Sequence, residues 1–452
     1  MEKINKLRKF FSNGKIDGYI IPKSDEFFSE YVPEYKDRLK YISNFTGSYG
    51  FALILKKYNY LFVDGRYTLQ ACKQCGKNFK ILTFPHQMPK DVIKDKKTRI
   101  GFDPKILTNN FLNHFFKKTN VKFIPLNGNL VDKIWKRKIK TRIQKFYTLP
   151  NKHVGQNFKA KINKISSILK KKNIDYQFIS ASENSAWLLN IRGKDSNYTP
   201  LPNNYILINK HKEVLFFSDP KKISNKLRKK LSNIEFVDIK LVSKILSKII
   251  GKSFLIDKST CSTFYENLIS TNNKITNLSD PIYFLKSIKT KIEIENIKKA
   301  HISDGVALTK YLFWLKKNFK KKKITEISGS NKLLNLRRNN RDYICSSFPT
   351  ISGAGPNGAV IHYKATKKTN RLIKKGDIYL VDSGGQYKFG TTDVTRTISL
   401  ENFNKRIKDI FTRVLKGHIA VATFKLKKNT SGSEIDIVAR KYLKQVNLDY
   451  AH

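Results

Sequence analysis

Two aspartates, Asp382 and Asp393, stand inside strand-like apolar runs, Asp377-Ile-Tyr-Leu-Val-Asp382 and Asp393-Val-Thr-Arg-Thr-Ile398. The stretch between them contains Gly384-Gly-Gln-Tyr-Lys-Phe-Gly390, and the pattern predicts two strands joined by a turn around Tyr387-Lys388. In such a hairpin Asp382 and Asp393 face each other directly on one side, with Cβ atoms ~5 Å apart. Two carboxylates that close repel each other and lose hydration, which is costly unless cations or protons neutralise them. A pair of hard divalent ions ~3.5–4 Å apart, bridged by carboxylates, would do so. The alternative is that one aspartate is a turn or cap residue and the two never meet.

Upstream, Gly353-Ala-Gly355-Pro-Asn-Gly358 has the formal GxGxxG spacing of a dinucleotide loop. The residues after it, Ala359-Val-Ile-His362-Tyr363, read as a strand rather than a helix whose N-terminus would hold a pyrophosphate, so dinucleotide binding is not expected. A lone histidine such as His362 is usually structural, but close to two carboxylates it can donate a hydrogen bond to a tetrahedral oxyanion. Cys72 and Cys75 form a CxxC with no second pair or histidine cluster, and read as two ordinary thiols on a helix following Arg66. No GxSxG elbow, HExxH or phosphate-binding loop is present.

The elements that must position these residues read as three segments. Over residues 1–150 strands such as Gly18–Pro22, Gly50–Leu55, Tyr60–Val63 and Arg99–Phe102 alternate with helices, which argues for an α/β domain. Over 151–285 the pattern restarts with a basic amphipathic helix near Gly155–Lys172, then Tyr176–Ile179, Tyr205–Ile208, Val214–Phe217 and Ser253–Ile256. This is a second α/β domain of similar size and order, as an old duplication would leave. A third segment, 286–452, opens with a capping box at Thr290 and Glu293. Its helix is expected to run to about Leu315 and, after a Lys-rich turn, to resume from Thr325-Glu326 through Arg338.

The chain has 452 residues, 89 Lys+Arg against 35 Asp+Glu, and a formal charge of +54. On charge alone a nucleic acid or an anionic membrane would be the first partner to consider. The lysines are spread along the whole chain, however, and accompany abundant Asn, Ile, Phe and Tyr, the mark of A/T-rich codons. The charge is therefore read as solvated surface, and no nucleic-acid or membrane partner is expected. With 40% hydrophobic residues wholesale disorder is excluded. Four cysteines and the lack of a secretory pattern fit a cytoplasmic protein, and no stretch approaches the ~20 apolar residues of a membrane span.

Three segments in this order, Phe348–Tyr363, Ile378–Thr397 and Val414–Val421, closely resemble the catalytic domain of the Xaa-Pro aminopeptidases (aminopeptidase P, peptidase family M24). Ala186–Asp195, Arg38–Ser48 and Asp64–Tyr67 resemble the two N-terminal domains of the long form of that family. The resemblance implies an α/β (α+β) architecture. Two creatinase-like domains, 1–150 and 151–285, would precede a pita-bread domain, 286–452, that is incomplete at its C-terminus. It further implies Asp382 as terminal ligand of one metal and Asp393 as the bridge between two. The metals would be two divalent ions, Mn²⁺ first and Zn²⁺ or Co²⁺ as alternatives, with a bridging hydroxide as the nucleophile. His362 would stabilise the transition state or position the peptide, and His452 would match the first histidine of the family's HGTGHG segment, lining the substrate pocket. A histidine and two glutamate ligands of the family would then lie beyond His452, so a polypeptide of these 452 residues is expected to hydrolyse little. Implied partners are peptides with proline second and a second copy of the chain in a homodimer. The alternatives are a prolidase-like Xaa-Pro dipeptidase and a non-catalytic pita-bread module that binds peptides or proteins.

Overall fold

The computed structural model describes residues 1–94, 97–137, 143–401 and 403–450. Their contacts divide the chain into two compact units. One comprises Met1–Leu308, Leu334–Pro349 and Ser383–Val394; the other comprises Thr309–Leu333, Thr350–Asp382 and Thr395–His452.

The first unit contains two six-stranded sheets. Strands β1 (Gly18–Pro22), β2 (Phe51–Leu55), β3 (Asn59–Asp64), β4 (Lys80–Phe84), β5 (Arg99–Phe102) and β6 (Lys122–Pro125) are ordered 4-3-2-1-5-6. The short β7 (Tyr147–Thr148) pairs with β9 (Ile191–Arg192). The second large sheet takes β8 (Tyr176–Ile179), β10 (Tyr205–Asn209), β11 (Val214–Ser218), β12 (Glu235–Asp238), β13 (Ser253–Ile256) and β14 (Lys274–Asn277), ordered 12-11-10-8-13-14. Both sheets share one topology. Three strands run antiparallel to their neighbours at the centre, and parallel strands flank them on each side. The repeated order bears out the reading of a second domain built like the first.

Strand periodicity explains why both sheets are buried on both faces. In β1 Tyr19 and Ile21 enter one apolar core while Ile20 enters the other; in β10 Ile206 and Ile208 separate from Tyr205 and Leu207 in the same way. The continuous apolar runs in the sequence are therefore central strands rather than amphipathic ones.

The helix Lys291–Asn318 starts where the capping box predicts. Thr290 N and Oγ1 donate to Glu293 Oε2 at 2.8 and 2.9 Å, and Glu293 N donates back to Thr290 Oγ1. The helix Glu326–Arg338 follows the lysine-rich turn as expected. Beyond it come β15 (Tyr343–Ser346), β16 (Ile351–Ala354), β17 (Ile378–Ser383), β18 (Gly385–Tyr387), β19 (Gly390–Thr391) and β20 (Val394–Ser399). They form two three-stranded sheets, ordered 15-18-19 and 16-17-20. The helices Lys405–Ala422 and Gly432–Lys444 follow. Among the described residues no helix is long and apolar enough to cross a membrane.

Candidate active site

The hairpin forms, but its turn lies one residue later than the sequence suggests. Gln386 pairs with Thr391 and Tyr387 with Gly390, so Lys388 and Phe389 are the turn residues. The same register continues in the backbone bonds from Thr392 N to Gly385 O and from Leu400 N to Asp377 O. The expected direct opposition of Asp382 and Asp393 is not this register. The reason is visible at the tip, where Tyr387 and Phe389 are buried and Lys388 projects its ammonium outward. A turn on Tyr387-Lys388 would lose the Tyr387 pairing and its buried hydroxyl contact, described below.

Asp382 sits on β17 in the second unit, where alternate residues Tyr379, Val381 and Ser383 are buried and Asp382 is half-buried on the other face. It lies across from Ile351 of β16. Asp393, in the first unit, is exposed just after β19 and follows the buried Thr392. Gly385 N donates to the Thr392 hydroxyl at 2.9 Å, and Ser347 Oγ donates to the Thr392 carbonyl at 2.8 Å, so the backbone carrying Asp393 is fixed. Burial, with smaller contributions from Glu30, Tyr198, Tyr67 and Asp393, pushes the Tyr31 hydroxyl up.

His362 is exposed and its backbone is left-handed, with φ of 54°. The run Ala359–Tyr363 is therefore not the strand expected from its apolar residues. Gly355–Ala359 is a 3₁₀ turn, and a tight turn follows it. Two features impose this. Gly353 and Gly358 approach so closely that a Cβ on Gly353 would stand 2.8 Å from the Gly358 Cα, which only glycine tolerates. Glu326 then collects the loop. Its carboxylate, fully buried, accepts from Ala354 N at 2.8 Å, Asn357 Nδ2 at 3.0 Å, the Tyr363 hydroxyl at 2.9 Å and Arg371 N at 2.9 Å. The GxGxxG glycines thus serve close backbone packing, not a phosphate. A hydroxyl relay lies beneath the same loop. Tyr311 and Tyr379 hydroxyls are 2.7 Å apart, Tyr379 and Ser352 also 2.7 Å, and Ser352 Oγ donates to the Glu326 carbonyl.

In the first unit a buried ion pair holds the hairpin. Arg337 donates from Nε and Nη2 to Asp304 Oδ1 and Oδ2 at 2.7 and 2.9 Å, and also from Nη2 to Ser383 Oγ at 3.1 Å. The Tyr387 hydroxyl donates to Asp304 Oδ1 at 2.8 Å. Neither Asp304 nor Arg337 nor Glu326 was singled out by the sequence. The available signal was weak: Asp304 interrupts an apolar helical stripe of Ala300, Ala307, Leu308 and Tyr311.

His452 lies outside the described residues. Cys72 and Cys75 occur on the helix Thr68–Cys75, as two free thiols, the first exposed and the second buried. Among the described residues no group of three or more His, Cys, Asp and Glu is placed to hold a metal. Asp382 and Asp393 suit a hard divalent ion in donor chemistry, and two carboxylates are short of a full ligand set.

Comparison with known proteins places this architecture. The Creatinase/Prolidase N-terminal domain profiles match residues 3–134 and 138–293, and the Metallopeptidase family M24 profile matches 295–452. The fold is thus that of an M24 metallopeptidase preceded by two creatinase-type domains. Xaa-Pro aminopeptidase 1 of Dictyostelium discoideum is 35% identical over 476 residues, spanning 100% of this chain and 75% of that protein. Xaa-Pro aminopeptidase ApepP of Drosophila melanogaster is 34% identical, spanning 97% of this chain and 74% of its own length. The X-prolyl aminopeptidase of Caenorhabditis elegans, described as a cytosolic enzyme with a di-nuclear active site, superposes with a TM-score of 0.93. It shows 29% identity over 99% of this chain and 78% of that one. The chain belongs to the Xaa-Pro aminopeptidase family, metallo-exopeptidases among the hydrolases.

Proposed function

We propose that the chain serves the release of an N-terminal residue that precedes proline, with two divalent metal ions as cofactor and Mn²⁺ as the preferred ion. The observation that carries this reading is the 35% kinship to an Xaa-Pro aminopeptidase over the full chain. The di-nuclear description of the Caenorhabditis elegans neighbour supports the metal count. Asp382 and Asp393 are the residues of this chain that would hold the ions, Asp382 at one of them and Asp393 between both. When bound, the ions supply an activated hydroxide at neutral pH and polarise the scissile carbonyl. His362, at the tip of the loop gathered by Glu326, donates a hydrogen bond to the developing oxyanion. His452 lines the pocket for the peptide.

The domain limits 1–150, 151–285 and 286–452 belong to the same reading, as do a cytosolic setting and a homodimer. The substrates are peptides with proline in second place. The 452-residue polypeptide by itself is expected to turn over Xaa-Pro peptides little or not at all, because two aspartates are an incomplete ligand set. Fusing to it the last quarter of the Dictyostelium discoideum relative is expected to yield Mn²⁺-dependent release of the first residue from an Ala-Pro peptide. Asp393→Asn in that fusion is expected to abolish it. Undiminished turnover in the Asp393→Asn fusion would refute the assignment of that ligand, and robust turnover by the unfused polypeptide would refute the claim that two aspartates are too few.

A further inference from the structure

A cavity of about 700 Å³ lies within the first unit, and its walls include Phe27, Trp187 and, from the hairpin that leads to Asp393, Phe389. Its volume is that of a small-molecule site. Two of the cationic side chains that line it, Lys161 and Arg192, are held by neutral groups. Lys161, 1% exposed, donates to the Trp187 carbonyl at 2.9 Å and Asn190 Oδ1 at 2.7 Å, and lies 4.1 Å over the Trp187 ring centroid. Arg192 donates from Nη1 to the carbonyls of Ala186 and Ile191 at 3.0 and 2.9 Å. All these partners are neutral. Among the described residues neither cation has an ion pair within the chain.

The cost of this arrangement is apparent. Burial pushes the Lys161 ammonium down to about 8 and lowers Arg192 as well. Of the wall carboxylates, Glu293 caps Thr290 and its charge partly offsets the burial of Lys161 without an ion pair to it, Glu183 accepts from the Tyr283 hydroxyl at 2.7 Å, and Glu30 is exposed. Lys286 and Lys289 add further positive charge to the same wall. Two buried polar atoms on it, Ser182 Oγ and His153 Nδ1, have no hydrogen-bond partner. Buried polar groups are paired in the great majority of cases, so two orphans on the same wall as two cations without an ion pair are the chemistry that receives an anion.

We propose that this cavity binds an organic anion: a carboxylate carried on an apolar or aromatic body. The carboxylate accepts from Lys161, Arg192 and Ser182, and the body packs on the rings of Phe27, Trp187 and Phe389. The inference is independent of the peptidase reading, since it invokes none of its residues.

Trp187 reports on the site directly. The chain has three tryptophans, and Trp135→Phe with Trp314→Phe leaves Trp187 alone. N-acetylphenylalanine is expected to change its fluorescence saturably, with the neutral N-acetylphenylalaninamide about tenfold weaker or worse. Inorganic phosphate is expected to leave the signal unchanged. Lys161→Met is expected to weaken the acid by about tenfold or more. Ser182→Ala removes only an unpartnered hydroxyl, so it spares the fold and is expected to weaken binding by about threefold. A peptide ending in phenylalanine that binds more tightly than N-acetylphenylalanine supports the carboxylate and marks a peptide terminus as its source. The reverse order supports it with a small acid as source. Equal affinity for acid and amide, a phosphate response matching the acid, no saturable response, or an unchanged affinity in Ser182→Ala would each overturn the proposal.

Discussion

Arg337 and Asp304, 1% and 0% exposed, meet through two parallel hydrogen bonds and share them with Ser383 and Tyr387. Desolvating such a pair costs about as much as its attraction returns, so its role is to fix geometry rather than to add stability. Removing one partner is different, because the other is left charged in a dry interior. Arg337→Met is expected to cost about 3–5 kcal/mol in urea unfolding, with much of that recovered on adding Asp304→Leu. A single-substitution loss under about 1 kcal/mol would show the pair to be hydrated instead. The cysteines differ by burial in the same way. Burial pushes the Cys75 thiol up to about 12, whereas Cys72 is exposed on the same helix. A thiol reagent at pH 8 is expected to label Cys72 in the native protein and Cys75 only on unfolding, read by peptide mass mapping. Equal rates at the two would contradict that ranking.

At the scale of elements, the hairpin from β17 to β20 is a compound one, paired into two different sheets with Gly384 between them. A Cβ on Gly384 would run into the Thr392 carbonyl and Ser347 Oγ, both of which hold the backbone next to Asp393. Gly384→Ala is therefore expected to cost about 3 kcal/mol or more, seen as a lowered Tm and as lost exchange protection at Tyr387 and Thr391. A neutral outcome would mean that the strand can shift register without penalty. How much of these elements was legible follows from range. The cap of Thr290 with Glu293 and the run Tyr176–Ile179 are written in adjacent residues, and the structure reproduces both. The hairpin turn lies one residue beyond the position that the local pattern predicts because Tyr387 is held in its strand by Asp304, a residue on a distant helix.

For the molecule as a whole, charge +54 shows up as a few deliberate pairings within a basic surface. Burial would push Glu26 up, but the charges of Lys36 and Arg38 prevail and hold it down to about 2. Its backbone carbonyl also accepts from the Tyr205 hydroxyl at 2.6 Å, so the carboxylate lies where the two six-stranded domains of the first unit touch. A folded pKa below the unfolded one means that this stabilisation is complete above pH about 4.5 and is lost as pH falls to about 2. Across that window the wild type is expected to lose up to about 3 kcal/mol more than a Glu26→Gln variant, measured by denaturant unfolding at each pH. Parallel curves for the two would remove Glu26 from the acid response.

Sequence alone determined the family, the two repeated α/β domains, the main strands and helices, and the aspartate pattern. Each of these is carried by apolar periodicity, caps or contiguous motifs, which are local. Tertiary structure alone decided the left-handed turn at His362, the carboxylate of Glu326 beneath it, the clamp of Asp304 and Arg337, and the cavity around Lys161. Those features join residues tens of positions apart, and their identity is set by what each side chain meets once water is excluded. A glutamate at a helix start and a lysine on a basic helix look alike in the sequence whether they face solvent or, as Glu326 and Lys161 do, become buried.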